Sequence, residues 1–127
     1  MTVIRSLALI LLAVSAPAHA DWKMVGTGEA PDLGKRTFYV DFSRIEKSKA
    51  FRKVPELVDF VAEFNGSRSI KTVSEFDCKN KTVRILSFMA YSGNMANGKL
   101  VYSDTKPRKI EKISGDKVEF ATLVCSR

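Results

Sequence analysis

Hydrophobic and polar positions alternate most regularly between residues 70 and 91. Ile70, Thr72, Ser74, Phe76 and Cys78 fall on one face of an extended segment, because successive strand side chains point to opposite sides. Lys79-Asn80 reads as a tight return into 82–91, where Val83, Ile85, Ser87, Met89 and Tyr91 alternate with Arg84, Leu86, Phe88 and Ala90. The pattern predicts a β-hairpin. Upstream, 22–25 reads as a short strand, and 26–35, with three glycines and Pro31, as a loop. Thr37-Phe38-Tyr39-Val40 forms a second strand rich in aromatic and β-branched residues.

Residues 51–64 admit two readings. Val54, Leu57, Val58, Val61 and Phe64 fit a helical stripe with Pro55 in the first turn, whereas the density of Val, Phe and Leu suits a strand. Periodicity alone favours the helix. Asn65-Gly66-Ser67 is a turn signal, 92–98 a loop holding two glycines and two asparagines, and 100–102 extended. The final element is a helix with Asp116 as N-cap and Glu119 reaching back in a capping box. Val118, Ala121, Thr122 and Cys125 then share its inner face. No internal repeat or low-complexity tract interrupts the pattern.

The N-terminal hydrophobic run is of another kind. Arg5 precedes an apolar stretch over 7–14 that is too short to anchor in a bilayer, Pro17 breaks it, and Ala18-His19-Ala20 offers small residues where a signal peptidase reads. Residues 1–20 are therefore expected to be a cleavable signal, with the mature chain beginning at Asp21. Removing 20 of 127 residues leaves 107, one domain with a modest core. Both cysteines, Cys78 and Cys125, lie in that part, and export puts them where disulfides persist. Pairing them closes a loop of 48 residues, which restricts the unfolded chain by roughly 4 kcal/mol. Two free thiols are the competing reading, though the spacing is unlike a redox pair.

Without Arg5, 20 Lys and Arg stand against 14 Asp and Glu, a net charge of +6. The excess clusters at Lys47, Lys49, Arg52 and Lys53, at Lys79, Lys81 and Arg84, and at Lys106, Arg108, Lys109 and Lys112. Such a surface attracts polyanions without defining which. No nucleic-acid reader motif is present. His19, the single histidine, leaves with the signal, so no imidazole remains for base catalysis or metal ligation. Asp41, Asp59 and Asp77 sit near strand ends, where carboxylates more often bond turn backbone than pair for hydrolysis. The residues thus point to a binding domain without enzymatic activity, metal or other cofactor.

The arrangement resembles the surface-adhesin protein E family of Gram-negative bacteria. The residues that carry the resemblance are Phe38-Tyr39-Val40-Asp41 with Ser43 and Ile45, Glu75-Phe76-Asp77-Cys78, Tyr91 with Gly98, and Leu123-Val124-Cys125. It implies an α+β fold: an antiparallel sheet of about six strands with a C-terminal helix disulfide-bonded to it. It also implies that 51–60 is a strand, kinked or at an edge because of Pro55. For function it implies adhesin-like binding of host matrix glycoproteins such as vitronectin or laminin, or of sulfated glycans. The matching basic positions are Arg68, Lys71, Lys79, Lys81 and Arg84. The family's named member is a lipoprotein, but Ala20-Asp21 offers no cysteine to lipidate. A periplasmic or secreted protein without a transmembrane anchor is expected. The alternative function is a periplasmic accessory protein holding another envelope component. Open sheet edges favour a homodimer.

Overall fold

The computed structural model describes residues 20–32 and 34–127, so the expected signal, apart from Ala20, lies outside the described residues. The strands are β1 (Lys23–Ala30), β2 (Gly34–Val40), β3 (Glu46–Ser48), β4 (Phe51–Phe64), β5 (Ser67–Asp77), β6 (Thr82–Tyr91), β7 (Leu100–Asp104) and β8 (Glu111–Lys112), followed by the helix α1 (Lys117–Cys125). They form one antiparallel sheet in the order β1-β2-β4-β5-β6-β7, with β3 pairing β4 and β8 pairing β6. This is the expected architecture, with two short strands added to the six.

Several local expectations change. The segment 26–35 is mostly strand: β1 runs to Ala30 and pairs with β2 through Ala30↔Gly34. Over 51–64 the strand implied by the resemblance is present and the helical reading fails, because Val54 and Leu57 are buried on opposite faces of the sheet while Val61 and Phe64 are exposed. β4 is also no edge strand, since it lies between β2 and β5. Pro55 is tolerated there for a local reason. Its carbonyl accepts from the Asp41 N–H at 3.2 Å, and the N–H and C=O of one strand residue face the same neighbour. The missing donor therefore falls where β2 has just ended at Val40, and no ladder bond is lost.

The β5–β6 hairpin is present with the turn at residues 78–81. Its alternation breaks, however, at a bulge. Val73 pairs with Ser87 and Ser74 with Ile85, which leaves Leu86 unpaired. Beyond it Phe88 and Ala90, rather than Ser87 and Met89, share the face of Val83 and Ile85.

One face of the sheet is covered by α1, and we call it the helix face. Its core is Val40, Val54, Phe76, Val83, Ala121 and Val124, with Phe42, Ile45, Ile113 and Phe120 packed around it. Phe76 is 1% exposed and meets Phe120 edge to face at 5.5 Å between ring centres. Glu56 enters the same layer and accepts from the hydroxyls of Thr72 at 3.2 Å and Ser74 at 2.7 Å. Burial pushes its carboxyl up, against those two donors and the nearby charge of Lys117.

The helix starts differently from expectation. Asp116 makes no side-chain capping bond, and the first turn closes instead through Val118 N–H to Gly115 carbonyl at 3.1 Å. Its inner face is Phe120, Ala121 and Val124. Val118 is 51% exposed and Thr122 also faces water. The Thr122 hydroxyl donates to the Val118 carbonyl at 2.9 Å, an internal bond that removes its need for a core partner. Cys125 is disulfide-bonded to Cys78, so the helix end is tied to the hairpin turn.

The other face is the open face. The loop 92–98 covers one end of it. Asp59 accepts from the Asn94 side chain at 3.1 Å and the Met95 amide at 2.9 Å, while the Ser69 hydroxyl bonds the Gly93 carbonyl and the Ala96 amide. Gly98 closes the loop with φ +79, and a Cβ there would collide with the Ser92 hydroxyl. Leu57, between Tyr39 and Lys71 on this face, is fully buried.

Candidate binding surface

The site grows from the hairpin turn. Asp77 accepts the amides of Lys79 and Asn80, both at 3.0 Å, and the Asn80 side-chain amide at 2.8 Å. The Asn80 amide contributes most to holding its carboxyl below the usual carboxylate range, against a smaller opposing push from burial. Cys78 adds two restraints, the disulfide to α1 and an N–H to Ala50 carbonyl bond at 2.9 Å. The latter brings the β3–β4 turn, with Lys49, beside the β5–β6 turn. Lys79 and Lys81 thus project from a doubly fixed turn, and both are exposed.

Strand register places a charge row on the open face just above that turn. Lys53 pairs with Glu75, and Glu75 with Arg84. Arg84 Nε meets Glu75 Oε1 at 3.0 Å. Beside the row lies a shallow depression of about 180 Å³ lined by Phe51, Glu75, Asp77, Thr82, Arg84 and Ile110. Phe51 is 41% exposed and Ile110 56%. The lining carries two acids and one cation, with the exposed Lys79 and Lys81 on the adjoining turn, and exposed apolar groups with such a polar rim suit contact with a protein.

Of the five basic positions marked in the sequence, Lys79, Lys81 and Arg84 come together here. Lys71 is on the same face, four residues from Glu75 or about 13 Å along β5, with its ammonium 5.7 Å from the Tyr91 ring centre. Arg68 points by strand parity to the helix face at the far end of β5. The surface gains Lys49 and Lys53, which the sequence set in a separate cluster. Pairing of β4 with β5 merges the two clusters, and only long-range register could show that. The three strand-end carboxylates do not converge: Asp41 caps the 3-10 turn Phe42–Arg44, Asp59 holds the loop and Asp77 the hairpin turn.

A disulfide-stapled antiparallel sheet with one covering helix defines a class of small α+β domains. A family model, that of surface-adhesin protein E, matches residues 22–126, and the chain belongs to that family. Among solved structures, the crystal structure of protein E from non-typeable Haemophilus influenzae shares the fold, with a TM-score of 0.56 at 11% sequence identity over 87% of this chain and 80% of that one. Among curated protein sequences none matches. Membership makes this an adhesin-like protein. Among the described residues no helix is long and apolar enough to cross a membrane.

Proposed function

We propose that the chain is an exported adhesin-like module that binds host matrix glycoproteins, or the sulfated glycans attached to them, through the open face beside the hairpin turn. The observation that carries this reading is family membership across the whole sheet and helix. The local support is a rigid turn presenting Lys79 and Lys81, the row Lys53, Glu75 and Arg84, and exposed Phe51 and Ile110. Lys71 extends the surface along β5, and Arg68 would serve only a ligand that wraps the edge. Cleavage before Asp21 fits the family match, which starts at residue 22, and gives a periplasmic or secreted product. The exposed outer strands β1 and β7 are available for a homodimer.

Replacing Lys79, Lys81 and Arg84 together by Ser should weaken binding to immobilised vitronectin or heparin about tenfold, from three charge contacts, two of them exposed, at roughly 0.5 kcal/mol each. The change should appear mainly in the association rate and shrink with added salt, which shortens the reach of charge to about 8 Å near 0.15 M. Replacing the exposed Lys35, Lys99 and Lys106, which line neither this depression nor the cleft around Arg108 and Lys109, is the matched control. Equal losses from both triples would reject a defined face. No binding by the unaltered protein at low salt would point to a partner within the bacterium's own envelope.

A further inference from the structure

A second hollow lies on the opposite side of the same edge. β6 pairs with β7 from Phe88 outward and with β8 at Thr82 and Val83, so its outer edge between these points has no strand beside it. The strap 105–110 cannot fill that gap, because Pro107 lacks an N–H for the ladder. It touches β6 through Arg108 N–H to Ile85 carbonyl at 2.8 Å and then stands off. The cleft left behind measures about 360 Å³ and is lined by Val83, Arg84 and Ile85, by Arg108, Lys109 and Glu111, and by Lys117 at the start of α1. The lining holds four cations and one acid beside an aliphatic wall. Arg84 is also bonded to Glu75 and Lys117 lies near the Glu56 carboxyl, which leaves Arg108 and Lys109 as the main anion donors. The Arg108 guanidinium is fixed 4.9 Å from the Phe88 ring centre, and Arg84 is oriented by Glu75. Preset cations around a hollow of that size suit one sugar ring and its charged substituent.

We propose that this cleft binds a sugar unit carrying a sulfate or phosphate ester, with Arg108 and Lys109 on the anion, Lys117 beside it, and Val83 and Ile85 against the ring. The cleft shares Val83 and Arg84 with the open-face depression, so the variants that test it leave Arg84 in place. Arg108, Lys109 and Lys117 belong to the cleft alone, so it can fail while the adhesin reading stands. The test is an amide-shift titration of the full mature chain with a sulfated heparin disaccharide, with glucosamine 6-phosphate and with inorganic phosphate. Saturable shifts at Ile85, Arg108 and Lys117 with either sugar, weakened about tenfold by Arg108→Ser with Lys109→Ser but unchanged by Lys79→Ser with Lys81→Ser, support the site. The tighter of the two sugars identifies a glycan or a phosphosugar headgroup as its source. Inorganic phosphate matching both sugars, or equal losses from the two double variants, would overturn it.

An independent observation concerns Asp21. Its backbone nitrogen donates to Asp41 Oδ2 at 3.0 Å, and Asp41 is wholly buried. The same carboxylate accepts the Ser43 amide and hydroxyl, and Arg44 Nε stands 3.4 Å away. Burial pushes the Asp41 carboxyl up, but the Ser43 hydroxyl, the Asp21 and Ser43 amides and the Arg44 charge together hold it below its ordinary value. Asp21 is also the residue that the peptidase motif makes first in the mature chain. We infer that leader removal turns this amide into an α-ammonium whose counter-ion is Asp41, so that processing itself tightens the fold. Hydrolysis leaves a carboxylate on Ala20 and a protonated amine on Asp21, with water supplying both.

The other charges at this point are Arg44, beside Asp41, and Lys23, which pairs with the Asp21 side chain at 3.3 Å. Pairing should raise the amine above its ordinary pKa of about 7.7–8.0. The extra stability is then full below the unfolded-state value and disappears as pH rises through the folded one. The experiment compares the chain beginning at Asp21 with its amine free and acetylated, in wild type and Asp41→Asn, and titrates the amine in wild type by NMR. A raised amine pKa, with acetylation lowering Tm only where Asp41 is present, is expected. An amine at its ordinary pKa, or equal acetylation losses in both backgrounds, would overturn the inference. Should Asp41→Asn not fold, the wild-type titration decides alone.

Discussion

Replacing Cys78 and Cys125 together by Ser lowers the stability of the mature domain by about 4 kcal/mol, because the unfolded chain regains the freedom of a 48-residue loop. That is a large share of the roughly 5–15 kcal/mol that holds an ordinary domain together. The loss concentrates at α1. A nine-residue helix does not persist in water unaided, and without the link it is held by the packing of Phe120, Ala121 and Val124 and by Arg127 over the Phe42 ring. Urea unfolding of the wild-type and double-Ser proteins measures the difference. An unchanged midpoint would mean that packing alone positions the helix.

Phe76→Ala should cost about 3–5 kcal/mol, the range for emptying a packed aromatic site. Phe76 lies at the centre of the helix-face core and supports the Phe120 ring above it. The same denaturation series should show exposed Lys79→Ser within about 0.5 kcal/mol of wild type. Near-UV circular dichroism should flatten in Phe76→Ala, since Phe120 loses its fixed neighbour. A cost below about 1 kcal/mol would show that the core lies elsewhere.

The hairpin and the disulfide were legible in the sequence because each has a local or arithmetical signature: strict alternation over 70–78, and two cysteines with only one pairing between them; the fold class came with the family resemblance. The strand over 51–64 was not legible from its own residues. Val54 and Leu57 are buried on opposite faces of a central strand, and that two-sided burial has the spacing of a helix. Leu86 hid the change of face in β6, since a bulge depends on the partner strand. The extension of β1 over 26–30 went unseen because its glycines read as loop, although β2 pairs with them throughout. As for the site, the basic residue types were visible but their grouping was not. Only the β4–β5 register sets Lys53 beside Glu75 and Arg84, and only strand parity sends Arg68 to the other side.

The position of α1 in the chain also sets an order of events during synthesis. Every strand of the sheet precedes the helix, and Cys125 follows Cys78 by 47 residues. A chain emerging N-terminus first therefore presents a finished sheet whose Phe76, Val54 and Val83 have no lid. For that interval the helix face is an apolar surface open to any chaperone, and docking of Phe120, Ala121 and Val124, fastened by the disulfide, ends the exposure.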